Sequence, residues 1–69
     1  MIQKGSFVLH SINTKSILRV LRLGKCRQTD EDVAECHYLF EIYPDRVFPF
    51  DELIEENYLY GLEEIEETA

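Results

Sequence analysis

Four side chains in this sequence are of types that could carry metal or covalent chemistry: His10, Cys26, Cys36 and His37. Structural zinc sites present their ligands in pairs two to four residues apart, and no C-x-x-C occurs here. Cys36 and His37 are adjacent, so a strand would send their side chains to opposite faces. A cysteine nucleophile needs a histidine base and an orienting acid, and Cys26, His37 and Glu35 supply those types. No nucleophile elbow, phosphate-cradling glycine loop or H-E-x-x-H helix accompanies them. A chain of 69 residues also has little volume left to surround a pocket once its core is filled. The expectation is a non-enzymatic protein without a metal or cofactor, with Cys26 and His37 the pair to test. Two cysteines make no disulfide framework, so both are expected as thiols.

Binding chemistry is better represented than catalysis. Residues 1 to 28 carry Lys4, Lys15, Arg19, Arg22, Lys25 and Arg27 and no acid, a charge of +6. Residues 29 to 69 carry 14 acids against Arg46 alone, a charge of -13, which leaves the whole chain at -7. Arg19, Arg22, Lys25 and Arg27 with nearby aromatics suggest an RNA- or DNA-binding hairpin over residues 15 to 27. The acidic surplus opposes it, because affinity for nucleic acid comes largely from neutralising phosphates. The acids fall in three clusters: Asp30 to Asp32, then Asp51, Glu52, Glu55 and Glu56, then Glu63, Glu64, Glu66 and Glu67. Such a surface speeds encounter with a basic partner. Tyr58, Leu59 and Tyr60 cannot all be buried on one face, and exposed tyrosines beside acids suit an interface.

The elements that must position these groups read as mostly β. Ser6 to Ile12 has strand composition. Residues 16 to 24 fit a helix by the spacing of Ile17, Val20 and Leu21, or a strand by cross-strand pairing. His37 to Tyr43 is the strongest strand signal. Laid antiparallel to residues 20 to 27, it sets Phe40 against Leu23, Ile42 against Leu21, Glu41 against Arg22 and His37 against Cys26, with the turn near Thr29 to Asp32. That consistency favours a long hairpin. Tyr43 to Arg46 holds Pro44 where a turn accepts it, and Pro49 limits the following arm to a short edge strand. From Asp51 to Ile65, Leu53, Ile54, Tyr58, Leu62 and Ile65 recur at helical intervals behind Asp51 as N-cap. The competing reading is one helical turn over residues 51 to 55 and a closing strand from Tyr58 to Ile65, because Gly61 weakens a helix by about 1 kcal/mol.

The order of strand, long hairpin, short strand, helical turn and closing strand resembles a small SH3-like barrel. Lys4 to Leu9 is similar to the opening of that group, and Arg46 to Leu53 to the strand and turn before its last strand. The resemblance implies a recognition module or accessory subunit. The chain has no Trp, which sets it apart from the proline-binding groove of true SH3 domains. The fold expected is mainly β, an SH3-like barrel or twisted antiparallel sheet of four or five strands with a short C-terminal helical segment; the alternative is α+β, a sheet plus a C-terminal amphipathic helix. One compact domain spans residues 1 to 65, and residues 66 to 69 form a frayed acidic tail.

No apolar run approaches the roughly 20 residues that cross a bilayer, and Met1 to Gly5 lacks a signal-peptide core, so a cytoplasmic chain with no membrane partner is expected. The function expected is an acidic interaction module that binds the basic surface of a larger protein. It would act either as an inhibitor, of the nucleic-acid-mimicking kind that phages encode, or as an accessory subunit. The residues expected to touch the partner are Asp51, Glu52, Glu55, Glu56, Tyr58, Tyr60, Glu63 and Glu64. The alternative nucleic-acid site is Arg19, Arg22, Lys25 and Arg27.

Overall fold

The apolar stretch Phe7-Val-Leu-His10 alternates between two interiors. In the computed structural model, which describes residues 2–62, these four residues form strand β1 and all four are buried. They sit inside one antiparallel sheet with β2 Ile17–Lys25, β3 Asp32–Tyr38, β4 Arg46–Pro49 and β5 Leu53–Glu55, in the order β4-β3-β2-β1-β5. Val8 faces an interior built from Ile2, Leu18, Val20, Ala34, Cys36, Tyr38, Phe48 and Leu53. Phe7 and Leu9 face the other side, where Leu59 covers them with Ile17, Leu39, Ile54 and Leu62 at the margin. A strand buried on both faces cannot show the apolar-polar alternation of a half-exposed one.

Register explains which residues share a face. Val8 lies opposite Leu18, and Phe7 opposite Arg19. Arg19 places its guanidinium 5.4 Å from the centre of the Phe7 ring. Leu53 pairs with His10 and Ile54 with Leu9, so β5 contributes one side chain to each interior. Gly5 enters β1 at φ 88, and its N–H donates to the Val20 carbonyl at 2.8 Å.

Residues 17 to 25 are strand, as the hairpin reading expects, but the pairing differs from the expected one. Arg22 lies opposite Glu35, Leu23 opposite Ala34 and Lys25 opposite Asp32, and Arg19 rather than Cys26 faces His37. The turn is the cause. The Cys26 N–H donates to the Glu31 carbonyl and the Asp30 N–H to the Cys26 carbonyl, with Asp30 at φ 58, a conformation that Asp tolerates. This tight closure carries Val33 to Glu35 into the strand, where the expected register left them in a loop, and sets Cys36 opposite Val20. Ala34 and Cys36 thereby reach the core, and two charge pairs form instead of one. The register slips once between Val20 and Arg22, which makes Leu21 a bulge.

Three further expectations are corrected. The strand expected over His37 to Tyr43 ends at Tyr38, and residues 39 to 45 are a connection. No α-helix spans residues 51 to 62; the chain makes a 3-10 turn at Phe50–Glu52, then β5, then a second 3-10 turn at Asn57–Gly61. Asp51 is no cap, since Pro49 precedes the first turn and no side chain caps it. Leu53 and Ile54 are required on opposite sides of β1, a geometry only a strand provides, and Asn57, Tyr58, Tyr60 and Gly61 are weak helix formers. The last strand among the described residues is therefore Leu53–Glu55, and residues 58 to 62 are not strand. Glu63, Glu64, Ile65 and the tail at residues 66 to 69 lie outside the described residues. Pro49 ends the edge strand β4, where its missing N–H costs no ladder bond.

Candidate functional site

The pairing of β3 with β4 sets Val33 opposite Pro49. Just beyond that pair, the β2–β3 turn and the first 3-10 turn lie side by side. Asp30, Glu31 and Asp32 from the former and Asp51 from the latter surround Pro49 and Phe50 in a concavity of about 310 Å³. Acids 19 to 21 positions apart in sequence thus line one concavity together with two apolar residues. Lys25 reaches Asp32 at 3.4 Å, with both side chains more than half exposed, so the pair is weak. Among the described residues no cation pairs with Asp30, Glu31 or Asp51.

The expected partner-binding residues divide. Asp51 is exposed at this concavity. Glu52 instead turns inward, its Oε1 3.1 Å from Nε2 of the buried His10. An ionised carboxylate only accepts, so it keeps the proton on Nε2. The His10 ring packs on Phe48 at 4.7 Å, which ties Glu52 to the core. Glu55 and Glu56 are half-buried at the end of β5, and Tyr58 is exposed beside the buried Leu59. Tyr60 lies in the second 3-10 turn. Glu63 and Glu64 lie outside the described residues.

The basic set is used within the sheet. Arg22 Nε donates to Glu35 at 2.8 Å, and that carboxylate raises the guanidinium pKa further by hydrogen bond and then by charge. Lys25 answers Asp32, Arg19 lies over Phe7, and Arg27 sits exposed in the turn. Cys26 and His37 are not brought together. Cys26 lies at the β2–β3 turn, while His37 stands near the far end of β3 with Nδ1 2.7 Å from Asp45. The half-buried Cys26 thiol has its pKa lowered, first by the Thr29 hydroxyl and then by the Thr29 and Gln28 N–H groups. Cys36 is fully buried, and desolvation followed by the charge of Glu35 pushes its thiol up to about 12.

Sequence reasoning placed the partner surface from Asp51 onward and did not join it to Asp30 to Asp32. The joining signal is the β3–β4 register, which only becomes readable once the β2–β3 turn is known to close at Cys26 and Glu31. No protein-family model, curated protein or solved structure matches the chain.

Proposed function

We propose that this chain is a non-enzymatic protein-interaction module that takes a basic segment of a larger protein into the concavity of Asp30, Glu31, Asp32 and Asp51. The single observation behind this reading is the convergence of four acids around Phe50 and Pro49. A Lys or Arg side chain has the matching form, because its alkyl stem covers apolar surface while its charged head meets carboxylates. Phe50 adds a ring face for the cation. An SH3-like barrel is the architecture that goes with this reading. Its support is the β4-β3-β2-β1-β5 order, the 3-10 turn between β4 and β5, and Phe48 against His10 across the core. The free thiols Cys26 and Cys36 suit a cytoplasmic chain. Among the described residues no helix is long and apolar enough to cross a membrane.

The test is capture of a partner on immobilised protein near physiological salt, repeated with the double substitution Asp30→Lys and Asp51→Lys. One stoichiometric partner should be retained, released when salt rises to about 1 M, where the screening length falls to about 3 Å, and lost by the double variant. Retention by the variant, or no partner at low salt, refutes the reading. Whether the bound partner's activity is blocked or supported then separates inhibitor from accessory subunit.

A further inference from the structure

The connection between β3 and β4 exposes several apolar side chains while its acids are hydrogen-bonded within the protein. Glu41 accepts from the Ser16 hydroxyl at 2.5 Å, and the exposed Asp45 accepts from the exposed His37 at 2.7 Å. The Leu39 N–H donates to the Ile17 carbonyl at 3.1 Å. Tyr43 packs edge-on against Tyr38, with ring centres 5.2 Å apart. Its apolar side chains face water, with Phe40 68 %, Ile42 104 % and Tyr43 58 % exposed. Ile12, on the neighbouring β1–β2 connection that Ser16 ties to Glu41, is exposed as well. Phe40, Ile42 and Tyr43 together present apolar surface on the order of 400 Å², within the range of the largest patch of a typical monomer and about half of one side of a standard interface.

Beside the protruding Ile42 lies a concavity of about 370 Å³ walled by Tyr38, Tyr43 and Pro44, with Asp45 and Arg46 at its edge. A knob and a hole on one patch are what a two-fold, self-complementary contact requires. Electrostatics allow two chains of charge -7 to meet there. Of the local acids, Glu41 is half-buried and bonded to Ser16, and the exposed Asp45 is paired with His37 and lines the concavity together with Arg46. The acids of the β2–β3 turn stand at the opposite end of β3, about 20 Å from Tyr38 at the strand rise, or two screening lengths at 0.1 M salt. We propose that this end of the sheet is a self-association surface on which Ile42 and Phe40 of one copy fill the Tyr38–Tyr43–Pro44 concavity of a second. The bonds that hold the loop also lower the ordering cost of docking. This inference stands apart from the acidic concavity and does not depend on it.

Sedimentation from about 10 μM to 1 mM chain, the range of modest affinities, tests it with the wild type, Ile42→Glu and a control, Tyr58→Ser. The wild-type mass should rise from one chain to two. Ile42→Glu, fully exposed and so without cost to the fold, should weaken dimerisation at least tenfold, as expected for a central apolar contact, while Tyr58→Ser leaves it unchanged. Salt at about 1 M should leave the dimer intact, whereas it releases a complex at the acidic concavity, so the two readings fail separately. A wild type of single-chain mass throughout, or a dimer indifferent to Ile42→Glu, overturns the proposal. So does a monomer that co-sediments with phosphatidylcholine vesicles through Ile42, which would assign the patch to lipid.

Discussion

Replacing Leu59 by Ala tests whether the second 3-10 turn is part of the folded unit. Leu59 has no solvent exposure and closes the interior on the far side of β1 against Phe7 and Leu9. The substitution removes three carbon groups, worth about 2.4 kcal/mol at 0.8 kcal/mol each, and the cavity left behind adds to that, within the usual range of about 2–5 kcal/mol for such truncations. At about 0.05–0.15 kcal/mol per residue, a chain of this length holds only some 3–10 kcal/mol in total. With a urea slope near 1 kcal/mol/M, the midpoint should fall by about 2–5 M. Far-UV dichroism and tyrosine fluorescence serve as probes, since the chain has four Tyr and no Trp. An unchanged slope means that the turn unfolds together with the sheet. A loss below about 0.5 kcal/mol, the level of an ordinary surface change, would show that Leu59 does not seal this interior, and the two-sided burial of β1 would have to be abandoned.

Cys26 should react with a disulfide reagent in the native chain, because hydrogen bonds from Thr29 favour its thiolate, while Cys36 should react only on unfolding; equal rates for both would contradict the geometry. The raised pKa of Cys36 implies stability that is full below pH 8 and falls as pH climbs from 9 towards 12, because the unfolded thiol ionises while the folded one does not. The limiting slope is about 1.4 kcal/mol per pH unit, and Cys36→Ala should flatten the decline in urea titrations at pH 8 and 10. Gly5→Ala meets no atom within 4 Å of its new Cβ but keeps φ near 88, so a thermal melt should show a loss of about 1 kcal/mol and not a gain. Asp30→Asn with Asp51→Asn should raise the stability of the isolated chain by about 0.3–1 kcal/mol through relief of like-charge repulsion, while weakening capture of a basic partner.

Much of the sheet was legible from residue types. Pro49 marked an edge, Pro44 a connection, and the strand reading of residues 17 to 25 followed from charge and apolar pairing with a later strand. The register was not legible, because Leu23 and Arg22 find apolar and acidic partners equally well at Phe40 and Glu41 or at Ala34 and Glu35. Only the Cys26–Glu31 closure decides between them, and it depends on Asp30 taking a left-handed conformation. The C-terminal segment misled for a different reason. Leu53, Ile54, Tyr58 and Leu62 recur as a helix would have it, yet Leu53 serves the near side of β1, Ile54 and Leu62 serve the far side, and Tyr58 is exposed while its neighbour Leu59 is buried. Periodicity carries no information about a strand covered on both faces. The acid clusters were visible in sequence, but their meeting required the β3–β4 pairing that follows from the corrected turn.

That meeting bears on how the charge of this chain is used. Solubility depends on net charge and is indifferent to where the acids sit. A binding site is not indifferent, since Asp30, Glu31, Asp32 and Asp51 line one concavity with Pro49 and Phe50. From the basic strand β2, Lys25 reaches Asp32. Arg22 spends its charge on Glu35, and Arg19 lies over Phe7. On the proposed reading, a cation from a partner would meet these carboxylates, and substitutions that remove their charge would remove the reason for that cation to bind. A loss of partner capture in Asp30→Asn with Asp51→Asn is the signature of acids kept for a partner, whereas acids kept for solubility would leave capture unchanged.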